Sequence, residues 1–209
     1  MARLVIDGYG QLELNQVAWP RDGRIEAQCA LDPDQFNNGT GAADDTNPYC
    51  ENGMILVVDN VNRMIHLPTS TYAVEGAVYA INYSSEHLYD ERKQGLKDFK
   101  LHAQPKAAQK VGAGRAGRIW PGYDFFPRLG YMSIGDKFTT NCIDLGEYDV
   151  EAITNEAIKT KAIYGTVCEN GAIMLVDAIP ATNAPALQVI KVTTMPDGQF
   201  ALKFQVVKA

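Results

Sequence analysis

The sequence predicts an all-β protein: a barrel or sandwich of short antiparallel strands with an internal pseudo-repeat, plus an extended N-terminal arm. Three observations predict it. Short apolar or alternating runs follow one another closely, separated by Gly, Pro, Asn and Asp, as in strands joined by tight turns. The stretch Cys50-Glu51-Asn52-Gly53-Met54-Ile55-Leu56-Val57-Val58-Asp59 is echoed by Cys168-Glu169-Asn170-Gly171-Ala172-Ile173-Met174-Leu175-Val176-Asp177. The chain closes on two runs, Leu187–Val192 and Phe200–Val207, around the hairpin signal Met195-Pro196-Asp197-Gly198.

In chain order, Arg3-Leu4-Val5-Ile6, Gln11-Leu12-Glu13-Leu14 and Arg24–Cys29 read as short strands, with Gly8, Gly10, Pro20 and Asp22-Gly23 as turns. Residues 32–48 are rich in Asn, Asp, Gly and Thr and read as a linker without core-building residues. Residues 1–44 are therefore expected to be an arm and linker, and 45–209 a β body. In each copy of the echo, Asn-Gly predicts a type I′ turn, since both residues tolerate positive φ. The apolar runs that follow predict strands buried on both faces. After the first, residues 59–63 turn the chain, Met64–Leu67 returns it, and Val74, Val78, Tyr79 and Ile81 suit a further strand. Residues 84–103 fit a short helix behind Ser85-Glu86 or an irregular loop. Residues 104–122 form a flexible basic loop, and Phe125–Tyr131 and Lys137–Ile143 return to β character. Asn155–Lys159 reads as a polar link before a strand over Lys161–Cys168.

With 209 residues, 46% of them hydrophobic, the chain is long and apolar enough to bury a core. A net charge of -6 argues against coating nucleic acid, which needs an excess of Lys and Arg. No apolar run approaches the ~20 residues of a membrane helix. Met1–Asp7 carries no signal-peptide core, so the product is expected to be soluble and made in the cytoplasm. The four cysteines, Cys29, Cys50, Cys142 and Cys168, lack zinc spacing and read as small buried side chains. A Cys50–Cys168 bridge across the echo is open in an oxidising setting.

Chemistry-bearing patterns are few. Gly112, Gly114 and Gly117 match G-x-G-x-x-G, but Ile119-Trp120-Pro121 follows where a helix must stand. His66, His87 and His102 stand in no metalloprotease or nucleophile-elbow pattern, and His66 reads as a structural histidine inside an apolar run. Asp59 and Asp177, at equivalent places in the echo, are a candidate carboxylate pair or two turn-forming residues. The residues point to no enzyme and no cofactor.

Glu51-Asn52-Gly53 with its apolar strand, followed by Arg128-Leu129-Gly130-Tyr131-Met132-Ser133-Ile134-Gly135-Asp136-Lys137-Phe138-Thr139-Thr140-Asn141, resembles auxiliary head proteins of tailed bacteriophages. The resemblance spans residues 45–177 and leaves the loop at 104–118 outside it. It implies a virion structural protein on the capsid surface, a decoration or cement subunit bridging neighbours. Its partners would be the major capsid protein and copies of itself, a trimer included. It carries over no catalytic residue, cofactor or metal. Intersubunit contact is expected from Arg3, Leu4, Val5 and Ile6, which could add a strand to an exposed edge, and from Lys110, Arg115 and Arg118. Other readings stay open: a tail, neck or fibre component, a cellular β-barrel binding module, or a small hydrolase.

Overall fold

In the computed structural model, the described residues are 10–36, 48, 50–84, 126–181, 183–196 and 198–209. They form two β-sheets, one curled into a half-barrel, with little helix. The elements are β1 (Leu12–Gln16), α1 (Trp19–Asp22), β2 (Ile25–Glu26), β3 (Ala30–Leu31), β4 (Ile55–Asp59), β5 (Met64–His66), β6 (Val78–Asn82) and β7 (Leu129–Gly130), then β8 (Lys137–Thr140), β9 (Ile143–Asp144), α2 (Asn155–Thr160), β10 (Tyr164–Val167), β11 (Ile173–Val176), β12 (Ala186–Thr194) and β13 (Phe200–Lys208). One sheet runs β1-β8-β13-β12-β10-β11-β9, the other β2-β7-β6-β4-β5-β3. Pairing is antiparallel except at one margin of each sheet, where β3 lies parallel to β5 and β9 to β11.

Alternation builds the larger sheet. Along β13, Leu202, Phe204 and Val206 face inward, and Lys203 and Gln205 face outward. In β4 every residue from Ile55 to Val58 is buried, as its all-apolar run predicts. Two apolar clusters result. One gathers all four cysteines with Phe36, Met54, Leu56 and Ile65; the other centres on Trp19, Phe138, Leu202 and Phe204. Trp19 is fully buried on α1 and lies flat against β7. A Cβ at Gly130 would sit 2.3 Å from its Nε1.

The described part of the expected arm is woven into both sheets. β1 pairs with β8, β2 with β7 and β3 with β5. The physical reason is apolar surface: Trp19 and Leu31 are buried, and these strands put them there. Cutting the chain at the expected boundary, residue 44, would strip three strands from the body; the boundary itself lies outside the described residues. The linker reading of 32–48 is corrected in its first residues, because Phe36 is fully buried and Asp32 is buried beside it. Asn155–Lys159 is not a link but the start of α2, capped by Thr154 Oγ1 accepting the Ala157 N–H at 3.1 Å. The strand expected at residues 3–6, the helix-or-loop at 84–103 beyond Ser84, and the basic loop at 104–122 lie outside the described residues.

The echo is real in sequence and divergent in conformation. Neither copy makes a type I′ turn, for Arg63 is the only non-glycine with positive φ among the described residues. In the first copy the Met54 N–H donates to Glu51 O at 3.3 Å, with Gly53 alone at positive φ, +88°, the type II pattern. In the second the Gly171 N–H closes the turn on Cys168 O at 2.8 Å, and the Cys168 N–H donates to Ala172 O at 3.0 Å. That is a turn followed by a glycine bulge at φ +81°. β11 is correspondingly half-buried rather than buried on both faces. The two copies nonetheless touch, since the Ile55 N–H donates to Gly171 O at 2.8 Å.

Candidate functional site

Two polar assemblies stand out in a largely apolar interior. The first is the seam where the sheets meet, and it is built from Glu51-Asn52-Gly53 and the segment Gly135–Asn141. Gly53 packs on β8, where an added Cβ would lie 2.2 Å from Thr140 Oγ1. Thr140 Oγ1 donates to Gln11 O at 2.6 Å and accepts the Cys142 N–H at 3.0 Å. Asn141 Oδ1 accepts the Gln11 N–H at 2.6 Å, and Asn141 Nδ2 donates to Gln199 Oε1 at 3.0 Å. The buried Glu51 carboxylate accepts the Gly10 N–H, and Asn82 Nδ2 donates to Glu51 O at 2.9 Å. Asp136 accepts from the Ala18 N–H at 2.8 Å and the Ser133 N–H at 2.7 Å. Most of these groups tie together segments distant in sequence, which makes the seam a fastening.

The second assembly lies at the β3–β5 margin. His66, on β5, is buried. Its Nδ1 is 3.0 Å from Asp32 Oδ2, its Nε2 is 4.0 Å from Asp59 Oδ2, and Tyr72 stacks on the ring at 3.8 Å. Asp59 accepts the Val61 and Asn62 N–H groups and the Asn62 side-chain amide. The Asn62 donors hold its carboxyl below the usual carboxylate range. Nearby, Glu26 accepts from the Gln28 and Cys29 N–H groups and from the Tyr131 hydroxyl. Burial opposes its charge, but these donors win and its carboxyl too is held low. Burial, then the Glu26 carboxylate, push the Cys29 thiol up to about 12 and the Tyr131 hydroxyl likewise up to about 12.

Asp32 holds the His66 ring through Nδ1, and Tyr72 covers one of its faces, so the buried ring is fixed in place. A nucleophilic cysteine needs a lowered pKa, and Cys29 has the reverse. The structural reading of His66 fits this geometry. The groups lock the 60–63 turn, β3 and the 67–72 loop together.

The assembly's titration predicts an acid limb of stability. Asp59 and Glu26 are held low in the fold, so their contribution is full above the ordinary carboxylate pKa, roughly 4. It is lost as pH falls through their folded values. The urea midpoint should therefore be level from neutrality down to about pH 5 and fall below that. Asp59→Asn should flatten the fall; an unchanged acid limb in that variant would contradict the assignment.

The sequence-predicted pair Asp59/Asp177 is not brought together. Asp177, on the other sheet's margin, is exposed and bonded to Lys161 Nζ at 2.8 Å and to the Tyr148 hydroxyl. Those two partners hold its carboxyl low, and burial followed by that bond pushes Tyr148 up to about 12. Asp59 serves its own turn, as the turn-forming alternative has it. All four cysteines are buried, and no disulfide joins Cys50 to Cys168. The expected contact residues Arg3, Leu4, Val5, Ile6, Lys110, Arg115 and Arg118 lie outside the described residues, as do His87 and His102. Sequence reasoning missed Asp32, whose partner stands 34 residues away on another strand, and Trp19, which lies in a four-residue helix too short to show a period.

Among the described residues no group of three or more His, Cys, Asp or Glu is placed to hold a metal ion, and no helix is long and apolar enough to cross a membrane. Comparison of the chain with family models, curated proteins and solved structures finds no match.

Proposed function

We propose that this protein is a non-catalytic structural subunit of a virus particle, a decoration or cement protein seated on the head shell of a tailed bacteriophage and bridging neighbouring capsid subunits. The observation that carries the reading is the seam. Glu51-Asn52-Gly53 and Gly135–Asn141, the segments of the phage-head resemblance, lie 82 or more positions apart yet pack against each other through Gly53 and Thr140. Residues spent this way set a scaffold and leave its outer surfaces free to bind. The Asp32–His66–Asp59 assembly favours the same reading over a hydrolase, because its buried ring offers a substrate no exposed base.

The test is co-sedimentation of the purified protein with head particles from its source, with copy number from gel densitometry. Saturable binding at hundreds of copies is the expected result. A handful of copies would move the protein to the neck, tail or fibre, and no binding would overturn the virion reading.

A further inference from the structure

The outer face of the larger sheet brings three lysines, Lys191, Lys203 and Lys137, into two neighbouring rows with a single carboxylate, Glu13. Cross-strand register fixes the arrangement. Glu13 stands opposite Thr139, Thr139 opposite Lys203, and Lys203 opposite Lys191. The next row is Gln16, Lys137, Gln205, Gln188 and Tyr164. Phe138 and Phe204 are buried, so strand alternation turns Lys137, Lys203 and Gln205 outward, with the buried Thr139 lying beneath them; on β12 a bulge between Val189 and Lys191 brings the exposed Lys191 to the same face as Gln188. Directly opposed like charges disfavour a sheet, and Lys191 faces Lys203 across one strand spacing, ~5 Å. Among the described residues neither lysine forms an ion pair. This cationic face belongs to a chain of net charge -6, so the rest of the molecule is more acidic than its total suggests.

The same chain displays a matching surface. Between β9 and α2, the segment Gly146-Glu147-Tyr148-Asp149-Val150-Glu151 exposes Glu147, Asp149 and Glu151 with no Lys or Arg among them. Among the described residues none of the three forms an ion pair. A short 3-10 turn over Val150–Ala152, capped by Asp149 Oδ1 accepting the Glu151 N–H at 3.2 Å, fixes the segment's shape.

We propose that the lysine face of one copy docks the Glu147–Glu151 segment of a second copy. The contact is head-to-tail: it joins two different patches, so it closes into a ring or extends into a chain rather than forming a two-fold dimer. Its charges lie at the surface, so it is weak and salt-dependent. It does not rest on the shell reading, because it concerns the purified protein alone.

Sedimentation velocity on the full chain tests it. The wild type should associate in low salt, with its apparent Kd rising at least ~10-fold in high salt. A Lys191→Glu/Lys203→Glu variant alone should be monomeric, and so should Glu147→Lys/Glu151→Lys alone. An equimolar mixture of the two should associate, since each supplies the charge the other needs. Recovery in the mixture shows that both variants are folded. A wild type that stays monomeric in low salt, association indifferent to salt, or a mixture of soluble variants that stays monomeric would each overturn the proposal.

Discussion

Trp19→Ala is expected to lower the unfolding free energy by about 3–5 kcal/mol, the range for truncating a large buried side chain. Trp19 is 0% exposed, and its ring fills the space that Gly130 leaves on β7. The magnitude matters because a whole domain holds only ~5–15 kcal/mol. Among the described residues Trp19 Nε1 makes no hydrogen bond, so Trp19→Phe should be milder, losing area but no polar partner. Gly130→Ala should be costly alone, with a methyl driven to 2.3 Å from Nε1 and 2.5 Å from Cδ1. Combined with Trp19→Ala it should cost less than the sum of the single changes, because the methyl then occupies the vacated space. Strict additivity in urea unfolding would show that the two residues do not share that space.

A second large effect is expected at the seam. Gly53→Ala combines a left-handed backbone at φ +88° with a methyl 2.2 Å from Thr140 Oγ1. The first costs about 1–2 kcal/mol and the overpacking about 1–3 kcal/mol more. Thr140 cannot turn aside without losing its bonds to Gln11 and Cys142. Gly171→Ala shares the positive φ, but its tightest contact is the flexible end of Met54, 2.9 Å away at Cε, with Leu56 Cδ2 next at 3.2 Å. Gly198→Ala, at φ +91°, meets nothing within 4 Å. Unfolding midpoints should therefore fall most for Gly53, less for Gly171 and least for Gly198. Equal losses would mean that backbone conformation alone decides and that the seam is loosely packed.

What was legible in the sequence follows from how far each signal reaches. β12 and β13 are long and alternating, with their turn between them, so local periodicity suffices. β4 shows as an unbroken apolar run. The two-residue strands β2, β3, β7 and β9 have no period to detect; their pairing partners define them. The echo shows why identical residues do not guarantee identical turns. Cys168 follows directly on β10 and is held in a hairpin, whereas in the first copy the Gly53 N–H is drawn to Asn82 O at 2.8 Å instead. The Asp32–His66 contact was invisible because Asp32-Pro33 has the composition of a turn, and only the parallel pairing of β3 with β5 brings it beside the ring.

The position of β8 sets an order of assembly during synthesis. Its neighbours are β1, far before it in the chain, and β13, far after it. The sheet built on β4, β5 and β6 uses mainly close-lying residues and can pair while the ribosome is still working. The larger sheet must hold β1 in waiting until β8 emerges and cannot close until β13 has emerged in turn. Contacts of such sequence separation make folding slow, and they leave strand edges unpaired in the interval. Yield in a heterologous host should therefore depend more on translation speed and temperature than the stability of the finished fold would suggest.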